Sequence, residues 1–310
     1  MDRLGRLTWE LELGYRLRRL ADPLARRLLR WMYSPGLNLV TLETTTSCTR
    51  KCVYCPPHYS LDIPPLAMEW ETYRRVVDSL AANAYRGNIA FNLYGDSLLD
   101  EKLEDRIRYA AEKSPLLHPI VYTNGDKLTV ERFLGLKEAG MDLMMLSQHS
   151  PELGGELRQT LETLKRDHPG LYDLHILDIH KFYHKDGNRL GFLNNRGGLA
   201  DVKRKPISLC RDLECAAIDC LGNVILCCQD CTSSYVFGNV LERDFWQIWN
   251  DPAFAAVRAR IRKGQWLFEI CRKCAGGEGL STAKPEGKAR RLAPAFHDFA
   301  EVMASLSRPG

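Results

Sequence analysis

Between residues 37 and 180, apolar runs with strand character alternate with stretches of helix length, and this alternation constrains the fold more than any other feature. Strands are predicted at 37–46, 88–94, 117–123, 141–148 and 171–180, with helices between them at 68–82, 100–113, 129–139 and 152–166. Such alternation is typical of a parallel sheet. The units are too few for a closed eight-stranded barrel, so we predict an α/β fold built on a partial (β/α)6-type barrel. Ligands of such folds bind at the carboxyl ends of the strands.

The cysteines of the chain are grouped rather than scattered. Three lie directly after the first predicted strand, at Cys48, Cys52 and Cys55, and none follows until Cys210. The others are Cys210, Cys215, Cys220, Cys227, Cys228, Cys231, Cys271 and Cys274. The long interval without cysteine suggests two metal centres in two parts of the chain.

Composition excludes several classes of protein. The 310 residues are 45% hydrophobic and 26% charged, which is ordinary for a globular protein. The net charge of +4 is too small to indicate a nucleic-acid-binding protein. No apolar run reaches the roughly 18 residues of a membrane span, and we identify no secretory signal. We therefore expect a cytoplasmic protein, whose reduced thiols favour metal binding over disulfides.

We divide the chain into four parts, namely an amphipathic helical segment at 1–36, the partial barrel at 37–205, a small C-terminal domain at 206–280 and a tail at 281–310. The first segment is rich in arginine. It either packs on the rest of the protein, which we favour, or contacts a membrane surface or a partner. The small domain is predicted to contain a β-hairpin that turns at Leu221-Gly222 and a helical stretch at 244–263 interrupted near Pro252.

The first cysteines form a CxxxCxxC pattern at the expected carboxyl edge of the sheet. Three thiolates can hold three irons of a cubane [4Fe–4S] cluster, which normally takes four cysteine ligands. The missing fourth ligand leaves one iron open, as in catalytic metal sites. The alternatives are a zinc site that borrows a ligand from elsewhere, or simple buried thiols.

The triplet, with Tyr54 before its third cysteine, resembles the signature of the radical S-adenosylmethionine (radical SAM) superfamily. Three further segments follow in order at predicted strand ends. Tyr94-Gly95-Asp96-Ser97 resembles the Gly-Gly-Glu-Pro motif of the family but departs from it at Tyr94, Asp96 and Ser97. Thr123-Asn124-Gly125 matches a common turn of the family. Ser147-Gln148-His149 ends the fourth strand, where the family often places polar groups near the ribose.

The resemblance implies a set of roles. Cys48, Cys52 and Cys55 would ligate a cluster whose fourth iron binds the methionine part of S-adenosylmethionine (SAM). Tyr54 would contact the adenine, and Gly95 and Asp96 the methionine amino group. The other residues expected at the cofactor are Thr123, Asn124, Ser147 and Gln148. An external one-electron donor, such as a flavodoxin or ferredoxin, is also implied.

The second group resembles the SPASM/twitch extensions of radical SAM enzymes, which carry auxiliary iron–sulfur clusters. The match implies Cys210, Cys227, Cys271 and Cys274 as ligands of one auxiliary [4Fe–4S] cluster. No cysteine follows Cys274, so the two-cluster pattern is incomplete. A structural zinc site with the same four ligands is the alternative.

Four cysteines remain, namely Cys215, Cys220, Cys228 and Cys231. They are small buried hydrophobes, parts of another cluster, or donors that return a hydrogen atom to a substrate radical, as in some radical SAM epimerases. Cys228 is the weakest of these candidates because the family shows the same Cys-Cys pair without such a role. His149 is a candidate general base or substrate contact, and a structural histidine is the alternative.

We expect a radical SAM enzyme that acts on a small polar molecule, with a carbohydrate or cyclitol as the favoured class. The reaction would be epimerisation or oxidation at a C–H bond. A maturase of ribosomal peptides is the second hypothesis, and a non-catalytic zinc or iron–sulfur scaffold is the third.

Overall fold

The structure is a computed structural model, and it describes residues 36–59, 63–185, 197, 210, 212–276 and 297–306. The predicted N-terminal helical segment lies almost entirely outside these residues, as do much of the loop before Cys210 and the first part of the tail. None of the helices in the described ranges is long and apolar enough to cross a membrane.

One mixed sheet of eight strands forms the centre of the described structure. The strands are β1 Leu39–Leu42, β2 Gly87–Ala90, β3 Leu117–Thr123, β4 Leu143–Gln148, β5 Leu174–Asp178, β6 Cys215–Ile218, β7 Asn223–Ile225 and β8 Val236–Asn239. Their order in the sheet is β5-β4-β3-β2-β1-β6-β7-β8. The strands from β5 to β6 pair in parallel, whereas β7 and β8 are antiparallel to their neighbours.

The strand β6 supplies the sixth parallel strand, although the sequence placed it in the second domain. Cys215 pairs with Leu39 and Ile218 with Leu42, so β6 runs beside β1 in the same direction. The hairpin turn at Leu221-Gly222 is confirmed, with Gly222 at φ +86°. The sheet therefore continues across the boundary predicted at 205–206, and both cysteine groups are attached to it.

Nine α-helices lie between or after these strands in the described ranges. They are α1 Pro56–Tyr59, α2 Trp70–Ala82, α3 Leu103–Lys113, α4 Val130–Ala139, α5 Gly155–Asp167, α6 Phe245–Trp249, α7 Pro252–Arg262, α8 Glu269–Ala275 and α9 Phe299–Leu306. The helix α4 shows how local sequence sets these boundaries. The Thr129 hydroxyl accepts the Arg132 N–H at its start, and Gly140 ends it with φ +108°.

Three elements of the C-terminal part were not predicted from the sequence, namely β8, α8 and α9. The helical stretch at 244–263 is two helices, α6 and α7, which are separated at Pro252 as expected. The sequence did not predict β8 or α8, which carries the CxxC pair. It also treated the tail as weakly patterned, whereas Phe299–Leu306 is helical. Short elements such as these have too little periodicity to be recognised alone.

Candidate active site

A cavity of about 240 Å³ opens at the carboxyl edge of the parallel strands. It is lined by Cys48, Arg50, Cys52, Tyr54, Cys55, Asn92, Leu93, Tyr94, Gly95, Asp96, Tyr122, Thr123, Asn124, Ser147, His149 and Ile179. All three cysteines of the first group therefore face one space. So do all the residues predicted to contact the cofactor except Gln148.

The loop after β1, which we call the cluster loop (residues 47–55), presents the three cysteines. Each of them is half-buried. Burial raises the pKa of Cys48 and of Cys52, because neither thiolate is fully solvated. A cationic metal centre would supply the charge that such thiolates need. Three sulfurs beside an open cavity fit a cubane cluster with one exchangeable position.

Side chains of the β3–α4 turn hold the cluster loop in place. The Asp126 carboxylate accepts hydrogen bonds from Arg50 Nε at 2.8 Å and from the Thr49 hydroxyl at 2.7 Å. A second guanidinium nitrogen of Arg50 makes the pair bidentate. Arg50 also lowers the pKa of Asp126, so this carboxylate is ionised at neutral pH. Asp126 is not among the residues predicted from the sequence, although it directly follows the Thr-Asn-Gly turn.

Asn124 connects the same turn to a cysteine. Its side-chain nitrogen lies 3.7 Å from Cys48 Sγ and 3.0 Å from the Thr49 hydroxyl. The backbone N–H of Arg50 is 3.5 Å from the same sulfur. Donors aimed at a cluster's sulfur ligands affect its reduction potential. The Asn124 side chain thus contacts the cluster loop at Cys48 and Thr49.

Asp96 is buried, and its carboxylate is occupied by protein donors. Oδ1 accepts the Leu98 N–H at 2.9 Å, and Oδ2 accepts the Asn124 N–H at 2.8 Å. The Thr123 hydroxyl lies within 3.0 Å of both oxygens. Burial nevertheless raises the pKa of Asp96. The carboxylate ties the β2 loop to the β3 turn, and its predicted contact with the methionine amino group stays a prediction.

Gly95 lets two backbone segments approach each other. A Cβ atom at this position would lie 2.0 Å from the carbonyl oxygen of Thr45. The next residue, Asp96, donates its N–H to the Ser47 carbonyl at 2.8 Å. A side chain at residue 95 would therefore separate the β2 loop from the cluster loop.

Tyr54 and His149 close one side of the cavity. The Tyr54 hydroxyl lies 2.6 Å from His149 Nδ1, and Tyr183 packs on Tyr54 with ring centroids 4.8 Å apart. Burial lowers the pKa of His149 to about 4, and the Arg50 charge adds to this effect. His149 is therefore neutral at neutral pH, and its Nδ1 shares a hydrogen bond with the Tyr54 hydroxyl. A pKa this low weakens the case for His149 as a general base, and its predicted role as a base or substrate contact stays a prediction.

Gln148 is the one predicted cofactor residue that does not line the cavity. Its side-chain nitrogen instead donates to the carbonyls of Ser150 and Pro151. Side chains alternate between the faces of a strand, so Ser147 faces the cavity and Gln148 does not. Tyr122 directly precedes the Thr-Asn-Gly turn at the end of β3, and this position could have identified it as a cavity residue. The sequence analysis also missed the cavity residues Arg50, Asn92, Leu93 and Ile179.

The second cysteine group assembles from three separate parts of the chain. Cys227 lies near enough to Cys210 and Cys271 for their charges to interact, and Cys271 interacts in the same way with Cys210 and Cys274. Burial raises the pKa of Cys271 to about 12. Cys210, Cys227 and Cys271 also pack against the main hydrophobic core. Within the described ranges, no three His, Cys, Asp or Glu side chains are close enough to bind a single metal ion.

Tyr94 links the cavity to the second group. Its hydroxyl donates to the carbonyl of Cys228 at 2.6 Å, and Cys228 adjoins Cys227. The ring also packs in a small apolar cluster with Ile225 and Cys231. The departure from the family motif at Tyr94 therefore has a structural reason, since a glycine at this position could make neither contact.

The four remaining cysteines occupy different surroundings. Burial raises the pKa of the cavity residue Tyr122, and nearby Cys215 and Cys228 add to this effect. Burial raises the pKa of Cys215 to about 12, so it is a protonated thiol. Cys220 and Cys231 are buried in hydrophobic clusters. None of the four lines the cavity among the described residues, so their role as hydrogen donors stays a prediction.

Comparison with known proteins identifies the family. Residues 42–170 match the radical SAM superfamily, and residues 210–275 match SPASM, an iron–sulfur cluster-binding domain. The chain therefore contains a radical SAM region followed by a SPASM domain. The radical SAM match contains the cluster loop and every cavity-lining residue except Ile179, and the SPASM match contains the second cysteine group. The second match names an iron–sulfur domain, which favours a cluster over the zinc alternative.

Individual relatives agree with this assignment. The chain is 29% identical over 243 residues to the S-adenosyl-L-methionine-dependent 2-deoxy-scyllo-inosamine dehydrogenase of Niallia circulans, covering 76% of this chain and 92% of the relative. A crystal structure of BtrN in complex with AdoMet and 2-DOIA superimposes with a TM-score of 0.68 at 27% identity, covering 81% of this chain and 96% of BtrN. A structure of anSMEcpe with bound AdoMet shares the fold at 15% identity and a TM-score of 0.54, covering 87% of this chain and 92% of anSMEcpe.

The chain is a radical SAM enzyme, as predicted, and its cofactors are [4Fe–4S] clusters and SAM. The site fits these groups. Three half-buried sulfurs face a cavity beside backbone and side-chain polar groups, and a second set of four cysteines lies apart from it. The scaffold hypothesis is wrong, because the family and the relatives are enzymes.

Proposed function

We propose that this radical SAM enzyme oxidises a secondary alcohol of an aminocyclitol or a closely related small polar ring to a ketone. The observation that carries the proposal is the likeness to a cyclitol dehydrogenase along nearly the whole length of that relative. The BtrN structure with AdoMet and 2-DOIA is similar to this chain over a comparable span.

The chemistry of the site is consistent with this oxidation. When bound, the cluster and SAM supply a 5′-deoxyadenosyl radical that removes a hydrogen atom from a C–H bond. Oxidation then requires loss of one proton and one further electron, and the electron needs an acceptor. We assign Cys210, Cys227, Cys271 and Cys274 as ligands of the auxiliary cluster that would serve as that acceptor.

The chain's own residues prepare the cavity for this reaction. We assign Cys48, Cys52 and Cys55 as ligands of the SAM-binding cluster, with Tyr54 at the adenine. Thr123, Asn124 and Ser147 supply polar groups at the same edge. Tyr54, Tyr183 and His149 shield one side from water. We place the enzyme in the cytoplasm, where thiols stay reduced, and expect an external one-electron donor.

The test uses anaerobically reconstituted enzyme with SAM, a one-electron reductant and 2-deoxy-scyllo-inosamine. We expect a product lighter by two mass units and 5′-deoxyadenosine in equal amount. A product of unchanged mass that gains deuterium from solvent would instead show epimerisation. In that case, replacement of one of Cys215, Cys220, Cys228 and Cys231 by alanine would stop deuterium uptake while SAM cleavage continued.

Metal analysis separates the iron–sulfur assignment from the zinc alternative. We expect about eight irons and eight sulfides per chain, as two cubane clusters require. About four irons with one zinc would contradict the auxiliary cluster and the oxidation that depends on it. Tight binding of a leader peptide would instead favour the peptide maturase.

A further inference from the structure

The helix α8 presents two cysteines of the second group on one face. Cys271 and Cys274 are three residues apart, so their side chains lie on the same side of the helix. The helix has seven residues and ends at Gly276 with φ +79°. A helix of two turns is unstable by itself, because the cost of nucleation outweighs its few hydrogen bonds. Its position must come from tertiary contacts.

The contact at the start of α8 comes from a distant part of the chain. Phe268, which precedes the helix, makes no side-chain cap. The Asp298 carboxylate instead accepts the Glu269 N–H at 2.7 Å through Oδ2. Its Oδ1 accepts the Tyr235 hydroxyl at 2.6 Å, and Arg272 lies 3.3 Å from Oδ2. One carboxylate therefore joins the start of α8, the strand β8 region and an arginine of α8.

The residue that follows Asp298 packs into the same region. The Phe299 ring meets Phe237 edge-on at 5.2 Å between centroids and stacks at 6.0 Å on Phe268. Phe299 is the first residue of α9, and Val302, Met303 and Leu306 of that helix also pack against the main core. These residues lie beyond the SPASM match, which ends at 275. The contact is an addition to the domain that the family match describes.

We propose that Asp298 and Phe299 form a clasp that fixes helix α8 and so sets the positions of Cys271 and Cys274, with Asp298 as a positioning residue for the auxiliary cluster. The inference rests on the proposed role of these two cysteines as ligands. Without the clasp the first turn of α8 frays, and Cys271 is the third residue of that turn. Partners that orient metal ligands typically contribute about 10–100-fold to metal affinity.

The test isolates the auxiliary site in the full-length chain. Cys48, Cys52 and Cys55 are replaced by alanine, so that reconstituted protein retains only the second group, at about four irons per chain. Asp298→Ala, Asp298→Asn and Cys271→Ala are then made in this background. The readouts are iron per chain, iron retention during titration with a chelator, and the electron paramagnetic resonance (EPR) spectrum of the reduced cluster.

Asp251→Ala is the matched control. Asp251 accepts the Ala253 N–H at 3.0 Å and pairs with Arg243 at 3.0 Å, so it is also a capping aspartate beside an arginine. The helix that it caps, α7, carries no cysteine. Both substitutions remove one carboxylate that accepts a backbone N–H at the start of a helix. A similar loss of thermal stability in both variants therefore separates cluster positioning from general destabilisation.

We expect Asp298→Ala to lose iron to the chelator about 10–100-fold more readily than the background protein and to show an altered EPR spectrum. Asp251→Ala should keep both properties. Asp298→Asn should recover most of the iron, because its amide oxygen still accepts the Glu269 N–H. Two results would overturn the clasp if Cys271→Ala loses its iron as expected. One is an Asp298→Ala variant with unchanged iron retention and EPR spectrum. The other is an Asp298→Asn variant that loses iron as readily as Asp298→Ala. A Cys271→Ala variant that keeps its iron would overturn the ligand assignment and the clasp together.

Discussion

The two cysteine groups are attached to the same sheet but are built in opposite ways. The first lies within eight consecutive residues of one loop and faces a cavity. Polar side chains from the neighbouring β3 turn, chiefly Asp126 and Asn124, hold this loop. The second is gathered from the segment at Cys210, the end of the hairpin and the helix α8, and it packs against the hydrophobic core.

This difference separates two kinds of metal chemistry. A site with three neighbouring ligands and an open side admits a cofactor and exchanges it. A site with four ligands from distant segments is closed when the fold forms, and it is suited to electron transfer without ligand exchange. The two sites meet through Tyr94, which lines the cavity and bonds to the backbone beside Cys227.

The largest effect is expected at the first cysteine group, Cys48, Cys52 and Cys55, which we call the open site. Cys52→Ala removes a ligand that the local loop cannot replace, so both SAM cleavage and substrate oxidation should fall below detection. Iron should decrease from about eight to about four per chain. The measurement is 5′-deoxyadenosine formation with iron analysis. Cys220→Ala, in the buried core, is the control and should keep both clusters. Persistent cleavage of SAM by Cys52→Ala would contradict the assignment of the first group.

We call the second set of proposed ligands, Cys210, Cys227, Cys271 and Cys274, the closed site. Loss of one of these ligands should affect ketone formation and not SAM cleavage. Cys227→Ala removes one ligand of the auxiliary cluster and leaves the cavity residues in place. We expect 5′-deoxyadenosine to form at nearly the unaltered rate while ketone formation is lost, because the remaining electron has no acceptor. Product analysis by mass spectrometry measures the ratio of the two. A variant that still makes ketone and 5′-deoxyadenosine in equal amount would remove the functional distinction between the sites.

The sequence predicted the open site better than the closed one, and the reason is physical. The CxxxCxxC loop and the Thr-Asn-Gly turn are local patterns at the ends of periodic strands, so their positions follow from the sheet. The pairing of β6 with β1 and the cap of α8 by Asp298 depend on contacts between residues far apart in the chain. Gln148 shows a further limit, because one residue of register decides whether a side chain faces the cavity.

The next largest effect is expected from loss of the hydrogen bonds that Asp126 makes with the cluster loop. Asp126→Ala removes the acceptor for Arg50 and Thr49, so the loop loses its bidentate anchor. We expect SAM cleavage to fall by about 10–100-fold, with the auxiliary cluster unaffected. The comparison is Asp105→Ala, which breaks an exposed ion pair with Arg108 on α3. Exposed ion pairs contribute little to stability, so Asp105→Ala should leave SAM cleavage unchanged. Equal activity of the two variants would show that the loop needs no support from the turn.

A smaller effect is expected where the two sites meet. Tyr94→Phe keeps the ring and removes only the hydroxyl that bonds to the Cys228 carbonyl. A neutral hydrogen bond contributes about 1 kcal/mol, which corresponds to about a fivefold change in rate. We expect that loss in ketone formation, with SAM cleavage less affected. A fall of the same size in both reactions would place the role of the hydroxyl at the open site alone.

The smallest effect on activity is expected at His149, whose pKa in the open site is lower than that of a histidine in water. Burial and Arg50 lower its pKa to about 4, whereas Asp126 opposes this shift. The unfolded chain takes up a proton below about pH 6.5, but the folded protein does so only near pH 4. The unfolded state thus binds more protons in this window, and the free energy of unfolding falls as the pH decreases, by about 2 kcal/mol between pH 7.5 and pH 5.

The variant His149→Gln cannot take up this proton, so its unfolding temperature should decrease less over the same pH range. Its turnover at pH 7.5 should stay near that of the unaltered enzyme. Parallel pH profiles of the two proteins would show that His149 titrates normally, and a large loss of turnover at pH 7.5 would restore it as a candidate base.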